Sequence, residues 1–232
     1  MSTLNPTRKV SRRHELREDT VVTFYARALG YFENNRNTVF GVAGGIVLIV
    51  LALLGYSWMQ SNNNEKALSQ MAVAVQKYEA GEFQASLDGD ASFLGMIEIA
   101  DSYGSTNSGN LAKFYAADAL FRVGDMERAL EYFESFSKGS DYLGASAYAG
   151  EAAIHELNGD QKKAGDLFVR AATVFESEIT SPMYFENAAR AYAAAGDKGK
   201  ARSAYESIRD DYPNSQAARN VDFYLAQYAS DN

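Results

Sequence analysis

The chain has 232 residues, 47% of them hydrophobic, a formal net charge of −8 and no cysteine. That apolar content is ample for a core. The missing cysteine excludes disulfides, a thiolate nucleophile, cysteine zinc or iron–sulfur sites and a lipid anchor on an N-terminal Cys. Residues 65–232 carry fifteen Lys/Arg against twenty-six Asp/Glu, and so acidic a body is a poor match for nucleic acid, which needs a basic face.

Residues 1–38 form a basic arm that holds Arg8, Lys9, Arg12, Arg13, Arg17, Arg27 and Arg36. Within it Val21, Tyr25, Ala28, Leu29 and Phe32 share one helical face, which predicts a short amphipathic helix. That helix either lies on the inner leaflet or extends the segment that follows. From Asn37 to Asn64 there is no charged residue, and Val39 to Met59 is apolar or small apart from Ser57. Twenty-one such residues rise roughly 30 Å as a helix, the thickness of a hydrocarbon core, so 39–59 is predicted to be a single transmembrane helix. Tyr56 and Trp58 mark its far interface. It is too long for a signal-peptide core and is read as an uncleaved anchor. Gly41, Gly45, Ala52 and Gly55 share a face that could pack against another membrane helix, a route to a homo-oligomer; small residues that merely tolerate lipid are the weightier reading.

The basic flank lies before the anchor, and only Lys66 and Lys77 follow closely. The positive-inside rule then puts the N-terminus in the cytoplasm and exports the body. In a bacterium this describes a single-pass protein of the inner (cytoplasmic) membrane with its C-terminal domain in the periplasm.

Residues 60–64, with Asn62-Asn63-Asn64, read as a polar linker. Residues 65–109 read as a divergent helical hairpin, its helices at about 65–80 and 93–103, with 88–91 as an irregularity. Residues 110–212 hold three copies of one pattern. Gly124-Asp125 is followed by Ala129 and Phe133, Gly159-Asp160 by Ala164 and Phe168, and Gly196-Asp197 by Ala201 and Tyr205, with spacings of 35 and 37 residues. Each Gly is expected as a left-handed C-cap and each Asp as the next N-cap. Ser181-Pro182 reads as a cap followed by a first-turn proline. Residues 213–232 are a capping helix and tail, with Phe223, Tyr224 and Tyr228 on one face. About eight helices are expected after the anchor, and no sheet; the fold class is an all-α solenoid of hairpins.

Seven residues before each Gly stand Ala117, Ala152 and Ala189, and four before stand Leu120, His155 and Tyr192. With Lys113, Tyr148 and Phe185 at minus eleven, this resembles the tetratricopeptide repeat (TPR). Lys113, Glu151 and His155 depart from the pattern, where an aromatic, a Leu and a Tyr are usual. The resemblance implies a concave protein-binding face on the first helix of each hairpin. That face holds Leu111, Phe114, Asp118 and Phe121, then Glu156, then Met183, Glu186 and Arg190. Its apolar part either opens to a peptide or packs against the upstream hairpin. A basic set that would clamp a C-terminal carboxylate is missing.

Nothing points to catalysis. Of two histidines, His14 lies in the arm and His155 in a repeat core position, and no hydrolase, nucleotide or metal motif occurs. No enzyme activity, cofactor or metal is expected. Gly30-Tyr-Phe-Glu-Asn-Asn-Arg36, Gly89-Asp-Ala-Ser-Phe-Leu94 and Tyr103-Gly-Ser-Thr-Asn-Ser-Gly-Asn-Leu-Ala-Lys113, with the domain order, are similar to the ancillary subunit family of the Sec translocon. That resemblance implies a scaffold that meets translocon subunits, periplasmic chaperones or emerging chains. The alternative is a scaffold for cell-division or envelope-assembly machinery.

Overall fold

The structure, a computed structural model, describes residues 12–229 and the side chains of 22–227. Arg8 and Lys9, and the side chains of Arg12, Arg13, His14, Arg17, Val21 and Tyr228, lie outside the described residues. The chain divides into two compact units, Met1–Met59 and Gln60–Asn232.

The first unit holds α1 (Arg12–Asn34) and the start of α2 (Arg36–Glu79). Helical bonding carries across Asn35, whose N–H donates to Tyr31 O at 3.0 Å while its carbonyl accepts from Val39 N at 2.9 Å. Phe32 meets Phe40 edge-on at 5.7 Å, and the Arg36 guanidinium sits 5.9 Å from the Phe32 ring centre. Phe24 and Tyr31 are exposed beside Tyr25 and Leu29, so the apolar surface of α1 is broader than the single stripe read from the sequence. Among the described residues α2 is the one helix long and apolar enough to cross a membrane, and its apolar stretch has no protein cover.

The second unit begins with the turns of α2 from Gln60. It continues with α3 (Phe83–Asp88), β1 (Gly89–Asp90), β2 (Phe93–Leu94), α4 (Met96–Tyr103), α5 (Asn107–Val123) and α6 (Met126–Ser135). After these come α7 (Tyr142–Leu157), α8 (Gln161–Val174), α9 (Thr180–Ala194) and α10 (Lys198–Asp211). A 3-10 turn (Ala217–Asn220) and α11 (Val221–Ala229) close the array.

Each hairpin turns at a left-handed glycine. Gly124, Gly159 and Gly196 have φ of 90°, 85° and 77°, a region open to residues without a Cβ. The following acids cap the next helix: Asp125, Asp160 and Asp197 accept from Arg128, Lys163 and Lys200 N at 3.1–3.3 Å. Their own N–H groups reach back to Leu120, His155 and Tyr192 O at 2.9 Å, closing the preceding helix.

A fourth corner of this kind stands at Gly81-Glu82. Gly81 has φ of 77°, and Glu82 N donates to Lys77 O at 2.9 Å. Ala74, seven residues before it, is fully buried, and Ser86 stands where the other copies have Ala. The Ser86 hydroxyl donates to Ala74 O at 2.8 Å, which satisfies a buried polar group. The first hairpin is thus a full repeat, and an insertion splits its second helix into α3 and α4. That insertion is the antiparallel pair Gly89↔Leu94 and Asp90↔Phe93, so the expectations of no sheet and of one helix over 93–103 are both corrected. Asp90 accepts from Ser92 N and Ser92 Oγ at 2.7 and 2.6 Å and thereby fixes the turn.

Three further expectations change. Residues 60–64 are helical: Gln60 Nε2 donates to Ser105 O at 2.5 Å, and Asn64 Oδ1 accepts from Ser108 N at 2.8 Å. The segment therefore helps hold the start of α5 and is not a linker. At α9 the N-cap position is Ile179, which makes no side-chain cap; the Ser177 hydroxyl accepts from Ile179 N and Thr180 N, while Ser181 is fully buried and donates to Ala172 O at 2.8 Å. In α11 Phe223 is exposed and Val221 is buried in its place, because the 3-10 turn shifts the helical register. Tyr224 does stack on Tyr205, at 4.8 Å and 9°.

Alanines let the helices approach closely. Ala117, Ala152, Ala189, Ala129, Ala164 and Ala201 are all fully buried. Two glycines go further: a Cβ on Gly150 would lie 2.5 Å from the Phe133 ring, and one on Gly165 would lie 2.6 Å from Tyr192. The core falls into two clusters that share α7, with Ala147 and Ile154 facing one and Ala145 and Ala152 the other.

Candidate protein-binding face

The eight residues read as a concave face fall into three groups. At the first repeat the side chains are already engaged. Leu111, Phe114 and Phe121 are half-buried against the first core cluster. The Phe114 ring lies 6.1 Å from Phe133 and 5.7 Å from Phe136, both on or just after α6, so it packs toward its own hairpin partner. Lys113, which departs from the usual aromatic, extends its amine to Ser135 O at 3.3 Å.

Asp118 accepts from the Tyr78 hydroxyl and from Arg122 Nε. Arg122 in turn covers the Phe83 ring at 5.1 Å, and Tyr78 meets Phe83 and Tyr115 edge-on at 5.4 and 5.0 Å. Burial, with the Asp118 carboxylate second, raises the Tyr78 phenol to about 12. Helices α2, α3 and α5 therefore close this end with an aromatic and charged cluster. Phe114 thus packs within its own hairpin, while Asp118 is the residue of this face that ties α5 to the upstream Tyr78.

Further along, Arg190 of α9 holds Glu156 of α7 through Nε and Nη2, both at 3.3 Å. The ion pair is half-exposed and joins the first helices of neighbouring hairpins, so it sets spacing more than it adds stability.

The third group is open. Met183 and Glu186 line a cavity of about 600 Å³ between the start of α9 and the segment 214–220. Pro182 and Ala217 add apolar wall, Glu178 adds a second carboxylate, and Asn214, Gln216 and Asn220 add amides. Ile179 stands at the edge, 81% exposed, and Met183 is 46% exposed. Repeat register alone could not find Ile179, Asn214 or Gln216, because they belong to connecting segments. The signal for Ile179 was a large aliphatic residue amid polar Ser177, Glu178 and Thr180.

The departures Glu151 and His155 are both buried in α7. Glu151 meets Lys138 across the α6–α7 connection, while His155 Nε2 has no hydrogen-bond partner. Among the described residues no group of three or more His, Asp or Glu is placed to hold a metal ion. The membrane-face residues Gly41, Gly45, Ala52 and Gly55 lie on the uncovered part of α2, and nothing stands within 4 Å of a Cβ built on any of the three glycines.

Helical hairpins that turn on left-handed glycines and stack on alanines define a TPR-like solenoid. A tetratricopeptide repeat model matches residues 186–215, which span the Gly196-Asp197 corner and α10. Two crystal structures of nearly identical TPR-like kinesin light chain repeats from Podosopora anserina, one of them a point variant, share the fold. Each has a TM-score of 0.51 and 15% identity over 72% of this chain, and covers 86% or 87% of the other. No curated protein matches the chain. Such repeats are protein-interaction scaffolds, and they are ordinarily not catalysts.

Proposed function

We propose that this protein is a single-pass membrane scaffold whose TPR-like body holds protein partners outside the cytoplasm, in a bacterium at or near the Sec translocon. The observation that carries the reading is the Val39–Met59 stretch of α2, apolar or small apart from Ser57 and without protein cover, in a chain whose remaining bulk is a repeat array. An isolated apolar helix of this length in water would expose far more contiguous apolar surface than soluble monomers tolerate. Support for the orientation comes from the basic residues before the stretch and the acidic balance after it. Support for the translocon comes from the three sequence segments and the domain order named above.

The test is affinity capture from solubilised membranes, comparing the full chain with residues 60–232, followed by mass spectrometry. Translocon subunits or periplasmic chaperones should be enriched with the full chain. Enrichment of division or peptidoglycan-synthesis proteins alone would favour the envelope-assembly reading, and recovery of the full chain in the soluble fraction would end the membrane reading.

A further inference from the structure

We propose that the groove between the start of α9 and the segment 214–220 is a peptide site of this scaffold. Its occupant is an extended protein segment with one large apolar side chain flanked by Lys or Arg. This rests on the scaffold reading and adds the chemistry of the partner. At about 600 Å³ the groove has the size of a site for one or two side chains. Its wall carries Ile179 and Met183, both exposed, over a buried Pro182. Single exposed apolar residues are ordinary, but here two of them line one concavity. The unbranched thioether of Met183 can adapt to different occupants.

Charge chooses among occupants. Glu178 and Glu186 line the groove, no Lys or Arg does, and neither carboxylate has an ion-pair partner among the described residues. The nearest basic member of the predicted face, Arg190, is engaged with Glu156. A neighbouring cavity shares Glu178 and adds Glu176 and Asp211, while its Asp210 is paired with Arg209, so the negative field beside the groove comes from three carboxylates. Phosphate-bearing and acidic ligands are repelled by this arrangement, whereas a lysine or arginine beside the apolar anchor gains charge-assisted hydrogen bonds. Asn214 and Gln216 each offer a donor and an acceptor to the backbone of an extended segment.

The experiment is fluorescence anisotropy with the full chain in nanodiscs and a labelled peptide, Gly-Lys-Leu-Lys-Phe-Lys-Gly, against its counterpart with Glu in place of Lys. The lysine peptide should bind and weaken with salt, and the glutamate peptide should not bind. Ile179→Ser with Met183→Ala should weaken binding about 10-fold, and Glu178→Gln with Glu186→Gln about 5-fold. Because these residues are at the surface, unchanged melting curves would confirm that all variants fold. Binding unaffected by either pair of substitutions, or equal binding of both peptides, overturns the proposal. So does a dimer in sedimentation that Ile179→Ser dissolves, which would make a second copy the occupant. If the peptide fails while membrane capture succeeds, the groove is wrong and the scaffold stands; if capture fails too, both are lost.

Discussion

Lys138 Nζ lies 2.6 Å from Glu151 Oε1, with the two side chains only 10% and 8% exposed. The contact is an ion pair without an aligned hydrogen bond to that oxygen. Lys138 also donates to Phe133 O at 2.5 Å and faces the Tyr148 ring at 5.3 Å, while Arg170 lies 5.0 Å from the same ring. Glu151 thus occupies a position where these repeats usually carry Leu because a lysine reaches in to meet it. Glu151→Leu alone strands a buried ammonium and should cost roughly 3–5 kcal/mol in urea unfolding. Adding Lys138→Met should restore most of that loss. If Lys138→Met costs as much in the Glu151→Leu background as in the wild type, the pair is not coupled.

Two helical glycines should respond oppositely to alanine. Gly199 in α10 has only Asp197 Oδ1 near a built Cβ, at 3.8 Å, so Gly199→Ala should stabilise by up to about 1 kcal/mol. Gly165 in α8 faces the Tyr192 ring at 2.6 Å, and there the same change should cost about 1–3 kcal/mol through overpacking. Thermal melts of the two variants check both signs.

Alkaline pH should loosen the array before it damages the helices. Tyr78 donates to Asp118, Tyr132 to Asp101 and Tyr192 to Asp166, each between different helices. Burial, then the carboxylate, raises Tyr78 and Tyr132 to about 12 and moves Tyr192 upward as well. In the unfolded chain these phenols ionise near their ordinary value of about 10. Above it the unfolded state binds fewer protons than the folded one, so the contribution is complete below about pH 10 and is lost as pH rises toward about 12. Urea midpoints across that window should fall steeply for the wild type and less steeply for the Tyr78→Phe, Tyr132→Phe, Tyr192→Phe triple variant.

Local rules explain what was legible in the sequence. A glycine in the left-handed region followed by a capping acid needs few neighbours, so Gly124, Gly159 and Gly196 announced their corners. Gly81-Glu82 obeys the same rule but stayed hidden, because it precedes Gly124 by 43 residues and carries Glu and Ser86 where the other copies have Asp and Ala. The hairpin at 89–94 caused that stretch, and its two-residue strands are too short for any periodicity to register. Repeat register placed Phe114 on the first helix of its hairpin but could not show that its ring turns toward Phe133 and Phe136. Lys113 was already visible as a departure from the usual aromatic, but its reach to Ser135 O is a tertiary contact that no repeat register describes. The open groove depends on a 3-10 turn and a loop, which no helical register describes. The partner of Glu151 was equally invisible, since Lys138 lies on a connection and the pairing is tertiary.

The central claim, a repeat body held outside the cytoplasm by an apolar helix, can be tested with one thiol, because the chain has none of its own. Ser92 is exposed at the tip of the inserted turn, so Ser92→Cys offers a single reporter. Expressed in a Gram-negative host, this variant should react with a membrane-impermeant maleimide in cells whose cytoplasmic membrane is intact. Labelling that occurs only after that membrane is broken would contradict the account.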